Sequence, residues 1–374
     1  MSNTLKNIVI GTFSIALLSA LGYSFLKKQS VDNPNSVAQI GILGKDKEEI
    51  SGIITSEKES FFKDPRTLRI LEDNGIIFKY ERWASGKMAQ VKNVSEFGKY
   101  ADFAFPPGIQ TSDKIKNTIK GSQAYNIFYS PMVVATWKPI VNILDSNGLI
   151  ENKKEYQALK MDRFLQLVDK KTKWKDLKNS SEYSVNKNML ISTSDARFSN
   201  SSKMYMGLTS YIYNQNEIIQ TQEQADKIIP NIKQMMASQG NRESSSTNLF
   251  TDYNSIGMGK APMIFVYESE FLENAIKNNG VNPKMQLVYP TPTMFTKHVL
   301  IGFNPKAQKL VDILTNNAEI KKVAADYGFR FAGNNELVNK AKTVGVDVPE
   351  TVIDVIDPPS FDTLEYIVNQ IETK

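Results

Sequence analysis

The chain has 374 residues, 41% of them hydrophobic and 23% charged, proportions that suit a folded protein with a sizeable core. It has no cysteine and one histidine, His298, which excludes disulfides, thiolate zinc sites, iron–sulfur clusters, cysteine nucleophiles and multi-histidine metal centres. The formal charge is +5, but Lys6, Lys27 and Lys28 flank an N-terminal apolar run, so the remainder is close to neutral and no nucleic-acid footprint is expected.

Residues 8–26 carry no charge and, at about 1.5 Å per residue, are long enough to span a bilayer core. Two readings stay open: an uncleaved membrane anchor, or a signal peptide cut near Ser19-Ala20-Leu21-Gly22. Both export the remainder, and residues 1–30 are assigned to this segment. Residues 31–47 are polar, with Asn33-Pro34-Asn35 and the charge-rich stretch that begins at Lys45, and read as a linker.

From residue 50 short apolar runs alternate with helical stretches, the pattern of a parallel α/β sheet. Residues 50–55 predict a strand. Asp64-Pro65 predicts the start of a helix that carries Leu68 and Leu71 toward Gly75, and residues 76–80 predict a second strand. Apolar runs at 101–105 and 132–136 predict a third and a fourth. Beyond Trp174 a strand is expected at 189–193, then a helix whose Met204, Leu208, Tyr211 and Ile212 share one face. A second hydroxyl-rich start, Ser244-Ser245-Ser246-Thr247-Asn248, precedes another helical stretch. Strands at 263–267, 286–289 and 299–303 follow, then helices between Pro305 and Gly328, and a last amphipathic helix with Leu364, Ile367, Val368 and Ile371 on one side.

Two of these helix starts suggest a binding site. A helix N-terminus offers unpaired N–H groups and a partial positive charge, so it holds an anion or polar oxygen without a basic side chain. Ser56-Glu57-Lys58 follows a strand directly, the position where an open α/β sheet binds ligands. Ser199-Asn200-Ser201 also opens a helix, after Asp195 and Arg197. Ordinary N-capping explains serine and asparagine at either place equally well.

The combination of Ser56-Glu57-Lys58 with Phe61-Phe62, Phe103-Ala104-Phe105-Pro106, Ser130-Pro131-Met132-Val133-Val134-Ala135-Thr136-Trp137 and Ser199-Asn200-Ser201 resembles the bacterial extracellular solute-binding proteins of the type II periplasmic-binding-protein fold. Tyr267-Glu268-Ser269, Leu287-Val288-Tyr289-Pro290 and Tyr327-Gly328-Phe329-Arg330 extend the resemblance over residues 48–332, closest in character to the molybdate- and sulfate-like oxyanion binders. It implies an α/β fold of two lobes, each a mostly parallel sheet flanked by helices: residues 48–130 plus 290–374, and residues 131–289. The hinge strands would be 130–136 and 286–290. It also implies a small polar or anionic ligand in the cleft, no cofactor and no catalysis, and presentation to an ABC-type permease or other membrane protein. The expected ligand contacts are Ser56, Glu57, Lys58, Ser130, Asp195, Arg197, Ser199, Asn200, Ser201 and Tyr267. Glu57 and Asp195 depart from a plain anion receptor, since carboxylates repel anions unless paired; Lys58 and Arg197 beside them would neutralise the site or recognise a carboxylate, and a zwitterionic or peptide-like ligand fits about as well. A membrane-tethered sensor or interaction subunit of an envelope assembly is the alternative from another class.

The remaining chemistry is sparse. His298 has no matched nucleophile and reads as structural. Glu268 and Glu270 form a carboxylate pair that would suit acid–base work, but their place just after a strand has the simpler reading of one cleft-facing and one solvated side chain. Trp83, Trp137 and Trp174 read as core residues.

Overall fold

The computed structural model describes residues 47–372 except 100, 334 and 353. The apolar run at 8–26 and nearly all of the linker lie outside the described residues. No described helix is long and apolar enough to cross a membrane.

β1 (Glu48–Ile54) hands over to α1 (Ser56–Lys63), and α2 (Pro65–Asp73) starts on Asp64, whose carboxylate accepts the Arg66 N–H at 2.7 Å. Proline fits the first helical position because the N–H it lacks would have no helical partner there. Gly75 takes a left-handed φ of 77° to end that helix and start β2 (Ile76–Arg82), as glycine does at little steric cost. Next come α3 (Ser85–Ala89), β3 (Phe103–Phe105), α4 (Ile109–Thr118) and the 15-residue β4 (Gln123–Trp137). α5 (Lys138–Ser146), β5 (Ile150–Asn152), β6 (Gln157–Lys160) and α6 (Met161–Asp169) lead to a long connection and α7 (Asn200–Tyr213). α8 (Gln222–Ala237) opens on a Thr221–Gln224 capping box,, followed by α9 (Ser246–Ile256), β7 (Met263–Tyr267), α10 (Glu268–Lys277) and β8 (Met285–Thr291). β9 (Thr293–Gly302), α11 (Pro305–Asn316), α12 (Ala318–Asp326), α13 (Glu336–Thr343), β10 (Val355–Ile356) and α14 (Phe361–Glu372) complete the described chain.

The described strands form one sheet in the order β2-β1-β3-β9-β4-β8-β6-β5, with β10 on β9 and β7 on β4. β1 is parallel to β2 and β3, and β6 to β8. β9 is antiparallel to β3 and β4, and β4 is antiparallel to β7 and β8. The sheet is therefore mixed, where the strand–helix rhythm had suggested mostly parallel pairing. The cause is the ladder between β4 and β9, which runs from Gln123 opposite Gly302 to Pro131 opposite Phe295. Its buried stretches are apolar on both faces and do not announce an antiparallel partner. The predicted strand at 189–193 is also corrected: Ser192 makes only a bridge with Ile264, and Thr193 gives its N–H to the Gln239 side chain at 2.8 Å. That backbone donor is satisfied without a ladder.

Among the described residues there are three apolar cores, and β4 and β9 link the two larger ones. Phe128 of β4 and Leu300 of β9 pack with Ile54, Phe61, Phe105 and Phe329. Farther along the same strands, Val133 and Met294 pack with Leu144, Phe164, Leu208 and Phe265. β9 runs through both cores, while β8, which holds residues 286–290, pairs with β4 and packs in the second of them. Leu337 and Val338 of α13 and Ile367 and Val368 of α14 join the second core, so these C-terminal helices pack with the elements between β4 and β9. α14 is pinned to α8 through the Tyr366 hydroxyl, which donates to Asp226 at 2.6 Å and accepts from Gln222 at 2.9 Å.

Candidate ligand-binding cleft

The carboxyl ends of β1, β2 and β7 and the starts of α1, α7 and α9 surround a cleft of about 330 Å³. Thr55, Ser56 and Glu57 enter it from one side together with Trp83, Ala84 and Ser85. Phe198, Ser199 and Asn200 enter from the other, with Ser244, Ser245, Ser246 and Tyr267. Only α1 is fed directly by a strand, β1; α7 and α9 start from loops, and all three bring first-turn N–H groups without helical partners to the cleft,.

Of the expected contacts, Ser56, Glu57, Ser199, Asn200 and Tyr267 line the cleft together. Lys58, Ser130, Asp195, Arg197 and Ser201 do not. Lys58 is fully buried behind Glu57, its ammonium 2.5 Å from Glu57 Oε1 and 2.9 Å from Thr55 Oγ1. Ser130 is buried in the joint between β4 and α10, where its hydroxyl accepts the Ser269 N–H at 3.1 Å. Asp195 turns back on Arg197, accepting its backbone N–H at 2.9 Å and its Nε at 3.0 Å, the local turn that suits aspartate before a helix. Ser201 lies inside the first turn of α7, 3.0 Å from the Ser199 hydroxyl and 2.9 Å from that of Ser194.

Capping accounts for only part of the hydroxyl enrichment. Ser245 accepts the Asn248 N–H at 3.1 Å and caps α9. Thr55 before α1 and Ser199 before α7 make no side-chain cap hydrogen bond. Trp83, read from the sequence as a core residue, lines the cleft instead, and Ser85 escaped notice although both lie just past β2, the kind of position that singled out Ser56. The Ser244–Ser246 stretch was legible as a helix start but not as part of the same cleft, and nothing local marked Phe198.

The charges are arranged around Glu57. Burial pushes its carboxyl up, but the Lys58 ammonium beside it outweighs burial and holds it below the usual carboxylate range. Burial likewise pulls Lys58 down while Glu57 pushes it up; the pair is an ion pair. His298 is fully buried between the rings of Tyr267 and Phe329, and its Nδ1 is 3.6 Å from Glu57 Oε1, too far for a hydrogen bond,. Burial and then the Lys58 charge lower its pKa to about 4, so the ring is neutral at pH 7.

Glu268 and Glu270 sit in opposite environments. Glu268 is fully buried against Arg330, with Nε–Oε2 at 2.6 Å and Nη2–Oε1 at 2.8 Å, and the Tyr289 hydroxyl donates to it. Glu270 accepts from Ser246 Oγ and Thr247 Oγ1, both at 2.9 Å, and from the Tyr267 N–H at 3.2 Å. Burial still pushes its pKa up to about 8. Neither is solvated, contrary to the simpler expectation for Glu270.

The two sides of the cleft touch at its rim. Thr247 Oγ1 lies 3.2 Å from Ser56 Oγ, and the Ser85 hydroxyl donates to the Phe198 carbonyl at 3.3 Å. Gly86 makes that approach possible, because a Cβ there would stand 2.5 Å from the Arg197 carbonyl oxygen. Among the described residues no group of three or more His, Cys, Asp or Glu side chains is placed to hold a metal ion.

No protein-family model matches the chain, and no curated protein does. Among solved structures the chain is similar to iron-bound HitA from Pseudomonas aeruginosa, with a TM-score of 0.53 at 10% identity over 87% of this chain and 100% of that one. It is also similar to the periplasmic binding protein P5PA, with a TM-score of 0.52 at 11% identity over 87% of this chain and 98% of that one. At such identities the likeness is one of fold. The chain has a periplasmic-binding-protein-like α/β fold, a mixed sheet flanked by helices.

Proposed function

We propose that the chain is a solute-binding protein that holds a small polar or anionic ligand in this cleft and presents it to a membrane partner such as an ABC-type permease, without covalent change to the ligand. The observation that carries the proposal is the convergence of the starts of α1, α7 and α9, drawn from elements around two separate cores, on one cleft. Unpaired N–H groups and helix dipoles there favour an anion or a polar oxygen. Lys58 offsets the charge of Glu57 but leaves one carboxylate oxygen to be met by a donor on the ligand. In this reading the body has two lobes: residues 48–130 with the segment from β9 through α12, and residues 131–289 with α13 and α14 packed on them. A ligand gripped from both sides favours the closed arrangement by its differential contacts with it.

The fold likeness to periplasmic binding proteins supports an extracytoplasmic body. The apolar run at 8–26 serves in this proposal as a single-pass anchor, which keeps the body near a fixed partner at high effective concentration.

Thermal denaturation of the purified chain with oxyanions, amino acids and hydroxy acids tests the proposal. A ligand at about a hundred times its Kd stabilises by about 2.7 kcal/mol, a clear rise in Tm, whereas a flat response across the panel refutes it. Ser199→Ala is then expected to weaken the ligand about tenfold, or ~1.4 kcal/mol. The unliganded Tm should hardly change, because Ser199 caps nothing; a fall in Tm with unchanged affinity would make Ser199 a purely structural residue.

A further inference from the structure

We infer that the ligand of this cleft is an organic anion that brings its own hydroxyl or amino hydrogen-bond donors, and not a bare tetrahedral oxyanion; the inference rests on the solute-binding proposal and names the ligand class for the same site. Its first support is Glu57. One carboxylate oxygen, Oε1, is saturated by Lys58 and Thr55. The other, Oε2, accepts no hydrogen bond among the described residues, although Glu57 is only 7% exposed and lines the cleft. That oxygen stays open to the cleft, where water or a ligand donor can meet it. A fully ionised sulfate or molybdate has only acceptors and would face this oxygen with like charge, whereas a ligand hydroxyl or ammonium would satisfy it.

The second support is the shape and lining of the space. A cleft of about 330 Å³ falls in the range of sites for organic small molecules, ~300–1,000 Å³,. A tetrahedral ion would leave much of it to water. Trp83 and Pro107 line it from one side and Phe198 from the other, and Phe198 is 45% exposed. Exposed aromatic surface of this kind suits the apolar face of a carbon skeleton.

The third support is the charge inventory. The basic side chain that lines the cleft, Arg82, is 3.0 Å from Glu59, and Lys58 is spent on Glu57. The anionic head is therefore left to the helix starts, and the remainder of the molecule to the serine hydroxyls, Glu57 and the aromatic walls. Head, donors and body each have a counterpart.

Calorimetric titration of the full chain decides the matter with two probe sets: sulfate, molybdate and inorganic phosphate, and glucose 6-phosphate, gluconate, 3-phosphoglycerate and phosphoserine. At least one organic probe is expected to bind at least tenfold more tightly than every inorganic one. Equal or tighter binding of an inorganic ion overturns the inference and leaves the solute-binding proposal standing. Binding by no member of either set overturns both. Phe198→Ala, at an exposed position, should weaken the preferred organic probe about tenfold with no change in Tm; unchanged affinity counts against the aromatic wall. Glu57→Gln should weaken the same probe and strengthen sulfate, the reverse of what an oxyanion site would show. If that variant unfolds because Lys58 loses its partner, the probe ranking and Phe198→Ala still decide.

Discussion

Arg330→Ala is expected to destabilise the protein by about 3–5 kcal/mol, the usual effect of stranding one half of a buried ion pair. Glu268 is completely buried, and both of its oxygens are matched by the Arg330 guanidinium at 2.6 and 2.8 Å. Without it the carboxylate keeps only the Tyr289 hydroxyl, a single donor for a charge with no access to water. The guanidinium also joins separate parts of the chain, since Arg330 follows α12 and pairs its backbone with Tyr129 of β4, while Glu268 opens α10. Arg330→Lys should recover only part of the loss, because an ammonium cannot make the two parallel bonds. The double variant Glu268→Gln/Arg330→Met should be clearly more stable than Arg330→Ala, as it strands no charge. Urea unfolding of the three variants measures this, and a loss below about 1 kcal/mol in Arg330→Ala would show that solvent reaches Glu268 after all.

Glu270→Gln should change how stability depends on pH. Burial pushes the folded-state pKa of Glu270 up to about 8, against an ordinary value of 4.5. Between those values the unfolded chain holds fewer protons at this position than the folded one, so stability falls as pH rises across the window. The contribution is complete below about pH 4.5 and gone above about pH 8. Each unit is worth ~1.4 kcal/mol, so a loss of about 3 kcal/mol between pH 5 and pH 8 is a reasonable scale. Glutamine keeps an acceptor oxygen for Ser246 and Thr247 and removes the ionisation, while its amide nitrogen cannot accept the Tyr267 N–H, a loss that does not vary with pH,. Relative to wild type the variant should gain stability steadily as pH rises, and parallel unfolding curves at pH 5 and pH 8 would sink the assignment. His298 acts in the opposite sense and at lower pH. Its pKa is lowered to about 4 by burial, so the stability it contributes is lost as pH falls from about 6.5 toward 4, equally in wild type and variant.

Local chemistry made much of the fold legible. Asp64-Pro65 announced α2 because capping and a proline at the first helical position are decided within three residues. Met204, Leu208 and Ile212 announced α7 through their spacing. Non-local choices were not readable. Whether a buried apolar run pairs parallel or antiparallel depends on its neighbour, and β4 with β9 joins residues far apart in sequence. The same limit divides the site. Ser56, Glu57 and Ser199 were identifiable because strand ends and helix starts are local, but which hydroxyl faces the cleft depends on packing: Ser199 lines it while Ser201, two residues on, turns to Ser194. Lys58 looked like an anion partner, and its neighbour Glu57 had already claimed it.

The crossing of β4 and β9 carries a mechanical consequence. Where the two strands pass between cores, Pro131 stands opposite Phe295; Tyr129, two residues earlier, exchanges its N–H and carbonyl with Arg330, so Pro131 turns the same way and its hydrogen-less nitrogen lies on that outer edge of β4, leaving the ladder to β9 intact,. At that point β4 is braced by backbone hydrogen bonds from β9 alone, between the Arg330 bridge on one flank and the β7 ladder that starts at Met132 on the other.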